Sequence, residues 1–143
     1  MIIRKWEEKD NIRICELEKE CFSDPWSYNM IADTFSSPNF LGYVIEENEV
    51  VQGYIGSTFL FEDAEILLVA VSKEFRKRGF GDLLVRTDLD VLKEKGVEKV
   101  FLEVRKSNIP AFSCYQKCGF VPIGIRKGYY GNGEDAIVME RKL

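Results

Sequence analysis

A chain of 143 residues without a single histidine must do any proton chemistry with carboxylates, tyrosines, lysines, cysteines or water. Ser-His, Cys-His and His-metal arrangements are excluded from the outset. Two residues stand out under that restriction. Glu103 lies near the end of the run Val97 to Val104, with apolar neighbours on both faces. That setting raises a carboxyl pKa and makes a useful general base; the same residue could equally sit half-exposed and pair with Arg105 or Lys106. Tyr115 follows Asn108 by seven residues, about 10 Å along a helix axis. A phenol there can protonate a leaving thiolate, or it can be a core aromatic packed back on a sheet.

A second constellation points to an anion. Glu65 to Val71 is a run of largely branched apolar residues, the pattern of a strand buried on both faces. Ser72-Lys73-Glu74-Phe75 follows, then Arg76-Lys77-Arg78-Gly79-Phe80-Gly81, and Asp82 to Lys95 reads as a helix. The glycines permit positive φ and a close backbone approach. A helix start leaves N–H groups without internal partners at the positive end of the helix dipole. Strand, basic glycine turn and helix N-terminus together make a cradle for a pyrophosphate. The alternative is a tight turn with solvated basic residues. The dinucleotide fingerprint G-x-G-x-x-G fails because position 84 is Leu84, and no Walker pattern is present.

Those residues need elements to hold them. Ile2 to Trp6 reads as a strand, with Asp10 as N-cap of a helix carrying Ile14, Leu17 and Cys21 on one stripe. Ser23-Asp24-Pro25 breaks that helix, and Ser27 caps a second, short one. Trp26 lies in the junction, as a core plug or as a wall of a substrate groove. Phe40 to Glu46 and Val50 to Phe61 read as strands around a turn at Asn48-Glu49, and Gly53 and Gly56 suggest bulges in the second. In the helix after the glycine turn, Phe80, Leu83, Leu84, Thr87 and Val91 share a face, and Gly96 ends it. Val97 to Val104 is a strand, Asn108 caps a helix reaching Cys118, and two last strands, Phe120 to Lys127 and Asp135 to Leu143, flank a glycine- and tyrosine-rich loop. The pattern is a single α+β domain over residues 1–143, its first half a largely antiparallel sheet.

Bulk properties narrow the partners. The net charge of -4 does not favour nucleic acid, and 45% hydrophobic with 31% charged residues is ordinary for a soluble domain. No apolar run approaches the ~20 residues of a membrane span, and Met1 to Trp6 lacks a signal-peptide core, so no membrane partner and a cytoplasmic location are expected. The four cysteines form no C-x-x-C pair, and zinc would need all of them. Cys114 and Cys118 read as small core residues, and no metal is expected.

Arg76-x-x-Gly79-x-Gly81 after a strand resembles the acetyl-CoA signature of the GNAT N-acetyltransferases. Leu102-Glu103-Val104-Arg105-Lys106-Ser107-Asn108, Tyr115-Gln116-Lys117-Cys118-Gly119-Phe120, and Tyr129-Tyr130 before Glu134-Asp135-Ala136-Ile137-Val138-Met139 follow in the same order. The resemblance covers essentially the whole chain. It is most specific for the enzymes that acetylate the N-terminal alanine of a ribosomal protein. Asp24-Pro25-Trp26-Ser27 is similar to a segment of those enzymes, with Asp24 where a histidine is expected.

What the resemblance implies is a mixed, mostly antiparallel sheet of six to seven strands flanked by about four helices. It implies acetyl-CoA as cofactor, held by Val69, Ala70 and Val71 through their backbone, by the turn Arg76, Lys77, Arg78, Gly79, Phe80, Gly81 and Asp82, and by Asn108. Glu103 would accept the amine proton and Tyr115 would protonate the thiolate. Trp26, Tyr129, Tyr130 and Glu134 would line the peptide side, the partner being a protein N-terminus. A lysine or small-amine acetyltransferase on the same scaffold, a silent acyl-CoA-binding module and a nucleotide-binding protein remain the rival readings.

Overall fold

The computed structural model describes residues 1–143. Its elements are β1 (Ile2–Lys5), α1 (Asn11–Cys21), α2 (Tyr28–Phe35), β2 (Phe40–Glu47), β3 (Val50–Leu60), β4 (Asp63–Val71), α3 (Phe80–Glu94), β5 (Lys99–Arg105), α4 (Ile109–Lys117), β6 (Val121–Arg126) and β7 (Ala136–Lys142). One seven-stranded sheet has the order β1-β2-β3-β4-β5-β7-β6. Every pairing is antiparallel except β4 with β5. The mixed sheet and the four helices match the expected architecture. No helix is long and apolar enough to cross a membrane.

Each face of the sheet carries its own core. On one, α3 and α4 bring Phe80, Leu84, Leu89, Leu92 and Tyr115 against Ile55, Ile66, Val100 and Leu102. On the other, Ile14, Leu17 and Ile31 cover Trp6, Val44, Tyr54 and Leu68. The expected bulges are present and shape β4. Gly56 pairs with Leu68 but Ser57 pairs with Ile66, so Leu67 is an extra residue on β4. Side chains alternate across a strand with a period of two. The inserted residue therefore moves the burial of β4 from the α3 face at Ile66 to the α1 face at Leu68.

The expectation that Glu65–Val71 is buried on both faces is corrected. Pairing between β4 and β5 stops at Glu65 with Phe101, and Val69, Ala70 and Val71 are only half-buried. Their apolar side chains border the gap that opens where the two parallel strands part. In an α/β sheet the carboxyl ends of parallel strands are where ligands enter.

Two further expectations change. Asp10 does not cap α1: it is helical itself (φ -79°, ψ -16°) and makes no cap hydrogen bond. Its carboxylate instead takes the Arg4 guanidinium at 2.8 and 2.9 Å and the Glu7 N–H at 2.7 Å. On α3, Asp88 is completely buried while Thr87 is only partly covered, so the inward stripe centres on Phe80, Leu84 and Asp88. An apolar-stripe argument cannot put a carboxylate at the centre of a buried face. Neither Asp88 carboxylate oxygen has a hydrogen-bond partner, and burial pushes the carboxyl up to about 7.

Candidate active site

The basic turn has the geometry of an anion cradle. After β4 a 3-10 turn, Lys73–Phe75, leads to Arg76, Lys77 takes φ +65°, and Gly79 takes φ +80° as it starts α3. A left-handed lysine costs roughly 1–2 kcal/mol, strain of the kind that concentrates at ligand clamps. No side chain caps α3, so its first-turn N–H groups stay available, and nothing lies within 4 Å of the place a Gly79 Cβ would occupy. Lys77 and Arg78 are exposed and make no salt bridge. Arg76 donates from Nε to the Val71 carbonyl at 3.1 Å, which ties the turn to the open end of β4.

Asp82 is a special case, because a carboxylate beside an anion site would repel the ligand. Its oxygens are engaged elsewhere. Arg86 Nε donates to Oδ2 at 2.9 Å and Cys118 Sγ to Oδ1 at 3.2 Å, and the Arg86 bond holds the carboxyl below its usual range. The Asp82 charge is thus already paired with Arg86. Asn108 caps α4, accepting the Ala111 N–H at 3.3 Å, which accounts for its oxygen and leaves its amide group for a neighbour. A pyrophosphate with an extended amide-bearing arm fits this donor set: N–H groups and free cations at the turn, then an unpaired strand edge.

Glu103 emerges on the opposite side of the sheet from Leu102 and Val104. It lines a cavity of about 350 Å³ with Glu65, Phe59, Phe101, Val138 and Arg126. Its side chain is 15% exposed and is paired with Arg126 Nε at 3.0 Å. The partner expected from sequence, Arg105 or Lys106, is not the one used. Tyr129 and Tyr130 sit beside it, with ring centroids 5.1 Å apart and nearly perpendicular planes. The Glu103 carboxylate pushes the Tyr129 phenol up. Burial, and after it Glu103, pushes Tyr130 up to about 12.

Tyr115 is fully enclosed on the α4 side, edge-on to Phe120 at 6.1 Å. The core-aromatic alternative thus describes its packing. Burial pushes its phenol up, and the Tyr130 phenol adds to the shift. Tyr115 thus belongs to the core on the α3/α4 face of the sheet, while Glu103 lines the cavity beside Arg126.

Trp26 does not line the Glu103 cavity. It packs on the α1/α2 core, and its backbone N–H donates to Glu18 Oε1 at 3.0 Å. Glu18, almost fully buried, also accepts the Tyr54 hydroxyl. Glu134 accepts Arg105 at 3.0 Å and the Ser107 N–H at 2.8 Å, bonds that hold its carboxyl below the usual range. Sequence reasoning missed Glu65, Arg105 and Arg126 as members of the site. Glu65 read as the start of a buried strand; partial desolvation, and then the Glu103 charge, raises its pKa. Period-two alternation from Glu103 would have put Arg105 on the same face, but nothing in sequence announces Arg126 from β6.

The profile of the Acetyltransferase (GNAT) family matches residues 11–120. A Bacillus subtilis chain named as a candidate ribosomal protein bS18-alanine N-acetyltransferase is 36% identical over 139 residues, covering 96% of this chain and 92% of that one. The ribosomal protein bS18-alanine N-acetyltransferase of Haemophilus influenzae is 34% identical, with 96% of each chain covered. In structure, the ribosomal-protein-S18-alanine N-acetyltransferase of Escherichia coli superposes with TM-score 0.92 at 28% identity, covering 99% of this chain and 92% of that one. Turn, gap, core and matches agree, and the chain belongs to the GNAT family of acetyl-CoA-dependent N-acetyltransferases.

Proposed function

We propose that the enzyme transfers acetyl to the α-amine of a protein N-terminus, with a ribosomal protein that begins in alanine as the acceptor. The observation that carries this is the division of the molecule. Glu103 lines a cavity with Arg126 and has Tyr129 beside it, and the basic turn follows the end of β4 that β5 leaves unpaired. Relatives named for ribosomal protein bS18-alanine acetylation support the acceptor class.

Acetyl-CoA supplies a thioester carbonyl open to attack by an amine. The unpaired edge at Val69, Ala70 and Val71 orients the pantetheine arm, the Arg76–Asp82 turn and α3 hold the pyrophosphate, and Asn108 contacts the arm. Glu103 accepts the proton of the attacking amine at a carboxylate oxygen. Tyr115 gives the proton of its hydroxyl to the departing thiolate; burial keeps that phenol protonated near neutral pH. Tyr129 and Tyr130 border the acceptor, and Trp26 supports that side from the α1/α2 core. Glu134 shapes that border through Arg105. An α-amine titrates near 8 and a lysine near 10.4, so the neutral lysine is scarcer at pH 7 by roughly two to three orders of magnitude. One carboxylate base suits the α-amine better. This function sets the enzyme in the cytoplasm, where ribosomal proteins are made.

The test is acetyl transfer from acetyl-CoA to short peptides beginning with Ala, Ser or Met, against an N-terminally blocked peptide containing lysine, read by mass. Transfer to the free Ala or Ser α-amine is expected. Transfer only to the blocked peptide would make the protein a lysine acetyltransferase. No transfer to any peptide, with acetyl-CoA bound, would leave a small-amine enzyme or a binding module.

A further inference from the structure

We propose that Arg105 is the positioning residue of the acceptor groove, latching the α1–α2 loop to the β6–β7 loop; the proposal rests on the acceptor face assigned above. Arg105 follows Glu103 by two on β5, so both side chains leave the strand on one face. Its Nη2 meets Asp24 Oδ1 at 2.7 Å, in the α1–α2 loop. Its Nη1 donates to Glu134 Oε1 at 3.0 Å and Asn132 Oδ1 at 3.1 Å, both in the β6–β7 loop. The guanidinium also stacks 4.0 Å from the Tyr130 ring centroid. Only 16% of its side chain is exposed.

A rigid fork of five N–H donors can satisfy all of these partners at once; a lysine ammonium cannot match the planar geometry or the stacking. Each loop is already anchored at a second point. Glu18 holds the Trp26 N–H, and Asp135 Oδ1 holds the Gly128 N–H at 3.0 Å. Arg105 is the tie between the loops, and it fixes the groove width beside Glu103. Without it, the Asp24 and Glu134 carboxylates would face each other with no cation between them.

The test is steady-state kinetics of Arg105→Gln, Arg105→Lys, Asp24→Asn and the double variant, with an Ala-starting peptide. Arg105→Gln should raise the peptide KM about tenfold with a smaller fall in kcat, and leave the acetyl-CoA KM unchanged. Arg105→Lys should recover only part of the loss. Asp24→Asn, on an exposed loop and so little threat to folding, should raise the peptide KM several-fold. Because both act through one contact, the double variant should be no worse than Arg105→Gln alone. Equal rises in both KM values, an unchanged peptide KM, or additive effects would overturn the proposal.

Amide hydrogen exchange reads the latch without any acceptor. Both 23–27 and 128–135 should exchange several-fold faster in Arg105→Gln, with α3 unaltered. Loosening of one loop alone would overturn the latch. Failure of the wild type to acetylate any peptide would instead overturn the acceptor face itself.

Discussion

The basic turn and the proposed acceptor groove are built in opposite ways. The turn is continuous in sequence: β4, the basic residues, two glycines and the first turn of α3 all fall between Asp63 and Asp82. Its geometry is set by backbone, through left-handed Lys77 and Gly79 and an uncapped helix start. The groove is assembled from three distant segments, 23–27, 103–105 and 126–135, and is held by side chains, with Arg105 and Arg126 as the ties. A site made by backbone tolerates many side-chain changes but few changes of conformation. A site made by side chains behaves the other way round, so substitutions should separate the two.

The largest effect is expected from Glu103→Gln. Loss of a general base costs roughly 10²–10⁴-fold in turnover, and acetyl-CoA affinity, measured by calorimetry, should be unchanged. A parallel loss of affinity would mean the two regions are not separate.

Asp88 probes the helix that carries the turn. Its carboxyl is raised from 3.8 to about 7 in the folded state, so the native protein holds that proton more tightly than the unfolded chain. Stability should therefore fall as pH rises from about 4 to about 7 and stay low above that, by roughly 4 kcal/mol at 1.36 kcal/mol per pKa unit. Urea unfolding at pH 5 and pH 8 should read roughly 3 kcal/mol of this, and Asp88→Asn should remove most of it.

Gly79→Val forces a β-branched residue into φ +80°. The strain of roughly 1–2 kcal/mol should weaken acetyl-CoA binding about 5- to 30-fold, while the peptide KM is retained. Smallest is Lys77→Gln. One exposed charge near a phosphate is worth roughly 0.2–1 kcal/mol, and the change in acetyl-CoA affinity should shrink as salt is added.

The same contrast explains what the sequence disclosed. The turn was legible because strand pattern, charge and glycine spacing are local signals, and they persist in the structure at Arg76 to Gly81. The half-burial of Val69 to Val71 was not legible, since it depends on where β5 departs from β4. Asp10 looked like a cap until Arg4, a residue of the neighbouring strand, claimed its carboxylate. Glu103 was identified, but not its pairing with Arg126, which needs β6 placed beyond β7. Tyr115 could be read as core or as proton donor, and its place in the structure is a buried one, edge-on to Phe120. Arg105, four contacts deep in two loops, was visible only as a residue in a motif.

The most direct test of this division is an amide NMR titration of the wild-type protein with acetyl-CoA alone. The largest shifts are expected at residues 69–71, 77–82 and 108, with only small changes in 23–27 and 128–135. Large shifts in those two loops, with the 77–82 amides unmoved, would contradict the account.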